Sequence, residues 1–346
     1  MRKSELRIGE RSIGAGAPTY IIAEIGVNHD GSVERGLELI EAAAGAGVDA
    51  VKFQWFEADR LVGDPTAVAA YQRRSKIDDQ RTMLRSLEID ATGMERFIRA
   101  SHEAGLDALV TVFSVELVRA ARSLAWDAWK TASPDLVHRP LLEALADDGR
   151  PMLISTGAAD LEEVRRTDQW FPDASIAFLH CVSAYPTPES EASLGAIGSI
   201  ADATGRPVGY SDHTTLETTG GLAVAAGARL LEKHLTWNRN AEGPDHAVSL
   251  DPKGLARFVD FSRRAGKALG SGEKKSAAIE SDVRRVARQS VRAARELRPG
   301  VVLAASDLAV KRPADGLEPW RLDEIVGRTL RTSLEPDAPI REEDLA

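Results

Sequence analysis

Two lysines and two histidines stand where an ordinary buried strand would carry valine or isoleucine. Lys52 lies inside the β-rich run Ala50–Gln54 and Lys130 inside Ala128–Thr131, while His213 and His234 lie at the ends of two later runs. Charged groups inside packed strands are costly unless they face a wet, functional mouth. Thr111, Ser133, Ser155 and Ser211 bring hydroxyls to the ends of other runs. Two ammonium groups with these hydroxyls would make a cradle for a small phosphorylated carboxylate. A snorkelling or salt-bridged lysine is the bland alternative for one such position, and it serves less well for two beside so many hydroxyls. The imidazoles of His213 and His234, on consecutive runs, can converge on one ion. Two neutral imidazoles with oxygen ligands suit a borderline divalent cation such as manganese, with magnesium or cobalt as alternatives. Two protein ligands would leave positions open for a substrate oxygen and water, as Lewis-acid catalysis requires. Of the other histidines, His102 reads as a helix-surface residue and His138 as a loop residue, while His246, after Asp245, suits either role.

The elements that must carry these side chains alternate along the chain. Strands are expected at Tyr20–Ile25, Ala50–Gln54, Leu106–Val112, Ala128–Thr131, Met152–Ser155, Ser175–His180, Pro207–Ser211 and Leu230–His234, with helical patterns such as Val33–Ala46 and Met94–Ala104 between them. Eight strands with crossover helices are the expectation for an α/β chain folded as a (β/α)8 TIM barrel, and a doubly wound sheet is the alternative. Every run ends in polar or ionisable residues, from Glu24 through Glu232. A doubly wound sheet would gather such residues near one switch point, whereas a barrel collects them around one face. The pattern favours the barrel.

The expected organisation is a catalytic barrel over residues 1–270, a linker over 271–282 and a small β-rich domain over 283–346. Short extended runs in that last part include Val291–Ala294, Val301–Leu303 and Leu308–Val310, with a brief helix near Asp323–Val326. About sixty residues make a domain that would be marginal alone, so it should dock on something. The net charge of -9 argues against a nucleic-acid surface. No apolar run approaches the roughly 18–20 residues a membrane span needs. The start of the chain lacks the apolar core of a signal peptide, and Cys181 is the sole cysteine, so a reducing cytoplasm is the expected location.

Several runs resemble the sialic acid synthase family, which includes legionaminic and pseudaminic acid synthases. They are Ile22-Ala23-Glu24-Ile25-Gly26-Val27-Asn28-His29-Asp30-Gly31, Val51-Lys52-Phe53-Gln54, Lys130-Thr131-Ala132-Ser133 and Leu153-Ile154-Ser155-Thr156-Gly157. His180-Cys181-Val182-Ser183-Ala184-Tyr185-Pro186-Thr187-Pro188, Tyr210-Ser211-Asp212-His213-Thr214, Glu232-Lys233-His234 and Gly243-Pro244-Asp245-His246 follow in family order. The tail, with Lys311-Arg312-Pro313 and Ile325-Val326-Gly327, resembles the antifreeze-like (SAF, β-clip) domain that ends these synthases.

The resemblance implies metal-dependent condensation of phosphoenolpyruvate with the open-chain aldehyde of N-acetylmannosamine or a related amino sugar. The products would be a nine-carbon 2-keto sugar acid and phosphate, released by C–O cleavage. It implies that Lys52, Thr111, Lys130, Ser133, Ser155 and Ser211 hold phosphoenolpyruvate, with Ser183 beside them. His213 and His234 would hold the metal, and Glu24 would position or deprotonate groups near the aldehyde. Gln54, Asp135, Tyr185 and Asp245 would bind acceptor hydroxyls. It also implies a domain-swapped homodimer in which Arg312 reaches the partner's acceptor site. Ser183, Trp55 and the basic stretch Tyr71–Lys76 depart from the family pattern and bear on the choice of sugar. Two other readings stay open: the same phosphoenolpyruvate chemistry with another sugar or aldehyde, and a non-catalytic binding protein of the same fold.

Overall fold

Strands buried on both faces are the signature of a parallel sheet covered by helices. In the computed structural model, which describes residues 5–64 and 79–346, the central strands have this character along almost their whole length. A short antiparallel hairpin comes first, β1 (Leu6–Ile8) with β2 (Arg11–Ile13). Eight parallel strands follow: β3 (Tyr20–Gly26), β4 (Ala50–Trp55), β5 (Asp107–Val112), β6 (Ala128–Thr131), β7 (Met152–Ser155), β8 (Ile176–Cys181), β9 (Val208–Asp212) and β10 (Leu230–His234). β10 pairs with both β9 and β3, which closes them into a barrel. Each expected strand is present with its ends within about one residue of the expected position. The basic stretch Tyr71–Lys76 lies outside the described residues.

Local sequence explains where the crossover helices begin. Ser32, Asp90, Asp160 and Asp251 each accept a backbone N–H with the side chain at a helix start, and Pro252 fills the first turn of the last of these. The helix Val33–Ala46 ends on Gly47 in the left-handed conformation, φ 81°. Apolar stripes of these helices pack on the outside of the strands in one continuous core. Trp55 belongs to this outer layer and is buried there, so it is a core residue. The barrel interior holds a second cluster, in which Ile22, Leu109, Leu153 and Leu179 meet Leu6, Ile8 and Ile13 of the hairpin. The hairpin therefore plugs one end of the barrel, and Arg11 ties it there by an ion pair of 2.9 Å to Asp107.

The chain divides into two compact units, Met1–Ser271 and Gly272–Ala346. The stretch 271–282, expected as a linker, carries a 3-10 turn at Ala278–Glu280 and runs into the helix Ser281–Ala287. In the second unit β11 (Ser290–Ala293) pairs antiparallel with β12 (Leu308–Lys311). Val301–Leu303 forms only an isolated bridge, Val302 to Thr329. Val291, Leu297, Leu303, Leu330, Leu334 and Ile340 lie in this unit's own core. Among the described residues no helix is long and apolar enough to cross a membrane.

Candidate active site

Side chains on a strand alternate between faces, so residues two apart share one. Lys52 and Gln54 on β4 line a single cavity, as do Ser211 on β9 and His213 just beyond it, and Glu232 and His234 on β10. The intervening Asp212 and Lys233 are not among the residues lining it, and they pair with each other at 2.8 Å, both fully buried. The cavity measures about 420 Å³.

Its floor is a charged lattice. Lys52 Nζ lies 2.5 Å from Glu24 and donates to Thr111 Oγ1 at 3.0 Å. Lys130 Nζ donates to Ser155 Oγ at 2.5 Å and to the Thr131 carbonyl at 2.8 Å, and lies 3.7 Å from Glu232. Ser211 Oγ donates to Glu232 at 2.9 Å, and Gln54 Nε2 donates to Glu24 at 2.9 Å. Burial drives the Glu24 pKa upward against the pull of Lys52. Burial also opposes the charge on Glu232, but Lys130 and Lys52 together hold its carboxyl below the usual range. Burial pushes the Lys130 ammonium down. An arriving phosphorylated carboxylate would compete with Glu24 and Glu232 for these two lysines.

Two glycines shape this floor, one by its backbone conformation and one by leaving room. Gly26, with φ 42°, sits at a register shift between β3 and β4, and a Cβ there would strike Glu24 Oε1. Gly157 donates its N–H to Ser133 Oγ at 3.1 Å, and a Cβ there would collide with the hydroxyls of Ser183 and Ser133. Both serines line the cavity as a result.

The opposite wall is aromatic. His213 and His234 have ring centroids 5.5 Å apart, and Tyr185 stacks on His213 at 4.1 Å. His213 Nδ1 lies 2.9 Å from the Val182 carbonyl. A proton on Nδ1 makes that bond and leaves the Nε2 lone pair available to a ligand. His234 is held well below the usual imidazole pKa, first by burial and then by the positive charge of its neighbours. Among the described residues its Nδ1 has no hydrogen-bond partner, and it lies 3.7 Å from Asp245, whose own pKa burial raises. His213 differs: burial opposes its charge, but Cys181 and the Val182 carbonyl draw its pKa above the usual imidazole value. A metal would be held by the deprotonated form of both rings.

Most of the residues singled out from the sequence share this cavity: Glu24, Lys52, Gln54, Thr111, Lys130, Ser133, Ser155, Ser183, Tyr185, Ser211, His213, His234 and Asp245. Asp135 does not line it. It sits on the 3-10 turn Ser133–Val137, one carboxylate oxygen buried without a hydrogen bond among the described residues, and burial raises its pKa to about 6. Arg312 belongs to the second unit, where it is exposed just after β12. Glu232 and Cys181 line the cavity without having been singled out as site residues. Glu232 could have been found from its spacing, two residues before His234 on the same strand. His102 faces Asp127 at 2.8 Å, and His138 caps the helix Arg139–Ala146 by accepting from the Leu141 N–H.

Comparison with known proteins agrees with this geometry. The NeuB family model matches residues 39–274. The chain belongs to the NeuB family. Residues 288–346 match the SAF domain, so this NeuB chain is a TIM barrel followed by an antifreeze-like domain. It is 35% identical over 335 residues to the N,N'-diacetyllegionaminic acid synthase of Legionella pneumophila, covering 94% of each chain. To the human N-acetylneuraminate-9-phosphate synthase it is 30% identical, covering 96% of this chain and 94% of that one. Among solved structures, the N-acetylneuraminic acid synthetase of Leptospira borgpetersenii in complex with citrate superimposes with a TM-score of 0.75 at 31% identity, covering 82% of this chain and 95% of that one. The chain is thus an enzyme of the sialic acid synthase type.

Proposed function

We propose that this NeuB enzyme condenses phosphoenolpyruvate with the open-chain aldehyde of N-acetylmannosamine or a related amino sugar. A nine-carbon 2-keto sugar acid and phosphate would result, the phosphate leaving by C–O cleavage. One observation carries the reading: two buried lysines among hydroxyls face an imidazole pair across one cavity. Lys52, Lys130, Thr111, Ser133, Ser155 and Ser211 hold phosphoenolpyruvate, with Ser183 beside them. Charge-assisted bonds from the lysines supply most of the orientation. C3 of phosphoenolpyruvate attacks the aldehyde, water adds at C2, and the tetrahedral adduct expels phosphate. Glu24, whose pKa burial raises and which lies within reach of Lys52 and Gln54, positions or deprotonates groups near the aldehyde. Gln54, Tyr185 and Asp245 meet acceptor hydroxyls, and Arg312 of a second copy reaches the acceptor in a domain-swapped homodimer.

His213 and His234 would hold a divalent ion, manganese or else magnesium or cobalt. Their fit rests on the bond of His213 Nδ1 to the Val182 carbonyl, which leaves its other ring nitrogen to serve as the ligand, and on the neutral, buried ring of His234. Such an ion supplies Lewis-acid polarisation of the aldehyde oxygen when bound.

Names of the relatives make diamino sugars such as the legionaminic acid precursor, alongside N-acetylmannosamine, the first acceptors to try. The test is phosphate release from phosphoenolpyruvate with a panel of N-acyl amino sugars, with and without manganese. Release that needs both sugar and metal is expected. Silence across the panel would count against the reading, and activity only with another aldehyde would transfer the chemistry to that acceptor. Calorimetric titration of manganese should show loss of binding in His213→Ala and His234→Ala. Undiminished binding in both would remove the pair from the metal assignment.

A further inference from the structure

Asp245 lines the cavity beside His234, yet it sits in the middle of a long loop after β10, where a side chain is not held by a sheet. Backbone bonds join the ends of that loop, Thr236 N–H to Leu250 O at 2.9 Å and Leu250 N–H to His234 O at 2.9 Å, while those in its interior are local turns, Ala241 N–H to Asn238 O, Val248 N–H to Asp245 O and Ser249 N–H to His246 O. Its interior is tied by side chains from the loop after β3. Asn28 Nδ2 donates to the Leu235 carbonyl and to Ser249 Oγ, both at 2.8 Å, and Ser249 Oγ donates to the Asp245 carbonyl at 2.6 Å. His246, fully buried, is held at both nitrogens: Nε2 is 2.7 Å from Asp30 Oδ1, and Nδ1 is 2.7 Å from Thr236 Oγ1. The other oxygen of Asp30 accepts from Arg35 at 2.7 Å and from Trp237 Nε1 at 3.1 Å, and the Arg35 guanidinium lies over the Trp237 ring. Asp30 itself takes a positive φ of 53°, uncommon for a residue with a Cβ.

We propose that Asn28, Asp30, His246 and Ser249 form a clasp between the first and eighth barrel loops, whose task is to set the Asp245 carboxylate against His234. These are positioning residues, because they act on the acceptor through Asp245. The effect on catalysis rests on the reading that the cavity takes a sugar aldehyde. The two lysines of the cradle lie on β4 and β6 and line the cavity, whereas Asn28, Asp30, His246 and Ser249 do not, so loosening the clasp should affect the acceptor more than phosphoenolpyruvate.

The experiment compares wild type with His246→Ala, Asp30→Ala and Asp30→Asn in the full chain, measuring both substrates separately. In His246→Ala and Asp30→Ala the acceptor kcat/KM should fall at least about tenfold, since a misplacement near 1 Å can cost on the order of a hundredfold. The KM for phosphoenolpyruvate should stay within about twofold. Asp30→Asn keeps an oxygen for His246 and should recover most of the loss. Equal effects on both substrates, no effect on either, or an Asp30→Asn variant no better than Asp30→Ala would overturn the clasp. If His246→Ala does not fold, the two Asp30 variants decide alone. Should the wild type use no amino sugar, the proposed function fails, and crystal structures then judge the clasp. An Asp245 carboxylate that leaves His234 in Asp30→Ala supports it, and one that stays in place refutes it.

Discussion

Lys130 is the residue whose environment makes the most specific demand. It is buried beneath the cavity with Ser155, the Thr131 carbonyl and Glu232 as its partners. Lys130→Met keeps the aliphatic stem and removes the charge, so two effects should separate. One charged contact to substrate is worth roughly 1.5–3 kcal/mol, or about ten- to a hundredfold in kcat/KM for phosphoenolpyruvate. Glu232, left with Lys52 as its main countercharge, should also lower the unfolding temperature. Adding Glu232→Gln should restore stability without restoring turnover. Kinetics and thermal melts on the single and double variants check both, and an unchanged kcat/KM in Lys130→Met would take this lysine out of the site.

At the scale of elements, the loop after β3 carries a pH-sensitive brace. His29 is fully buried, and its Nδ1 accepts from the Gly31 N–H at 3.0 Å. Burial lowers its pKa to about 4, from the 6.5 of an exposed histidine. The folded chain then binds fewer protons than the unfolded chain between those values, so stability is full above pH 6.5 and falls as the pH drops toward 4. His29→Asn keeps an acceptor for Gly31 and removes the titration. Melting temperatures across this range should decline less steeply in the variant, and parallel profiles would refute the assignment. How much of this was legible beforehand differs by element. The barrel strands were readable because each couples an apolar run to a polar end, as Val51-Lys52-Phe53-Gln54 does. The hairpin Leu6–Ile13 was not: two three-residue strands carry too little periodicity, and their partner, the barrel interior, is remote in sequence. Trp55 looked like a substrate-side departure until strand alternation put it outside the barrel, opposite in facing to Gln54. Residue type marked most of the site, because lysines and hydroxyls on strand ends have few other uses. The clasp was hidden, since its significance lies in partners contributed by distant segments.

At the scale of the whole molecule, the second unit has its own core, and Arg312 is exposed on it with no role inside that core. The proposed homodimer gives it one, across the subunit boundary. Arg312→Ala should therefore raise the acceptor KM while leaving that for phosphoenolpyruvate nearly unchanged. The decisive form of the experiment is complementation. Lys130→Met spoils the cradle of its own barrel but carries an intact Arg312, while Arg312→Ala carries an intact cradle. If the arginine serves the neighbouring barrel, a heterodimer of the two contains one site with both groups present. Random pairing makes about half the dimers mixed, with one good site in two, so co-expressed or co-refolded subunits should regain about a quarter of wild-type activity. An arginine acting on its own barrel would give no complete site in any pairing, and the mixture would show only the average of the two variants. Activity measured against the mixing ratio distinguishes these cases, since trans action follows the product of the two fractions, whereas cis action varies linearly between the two single-variant activities.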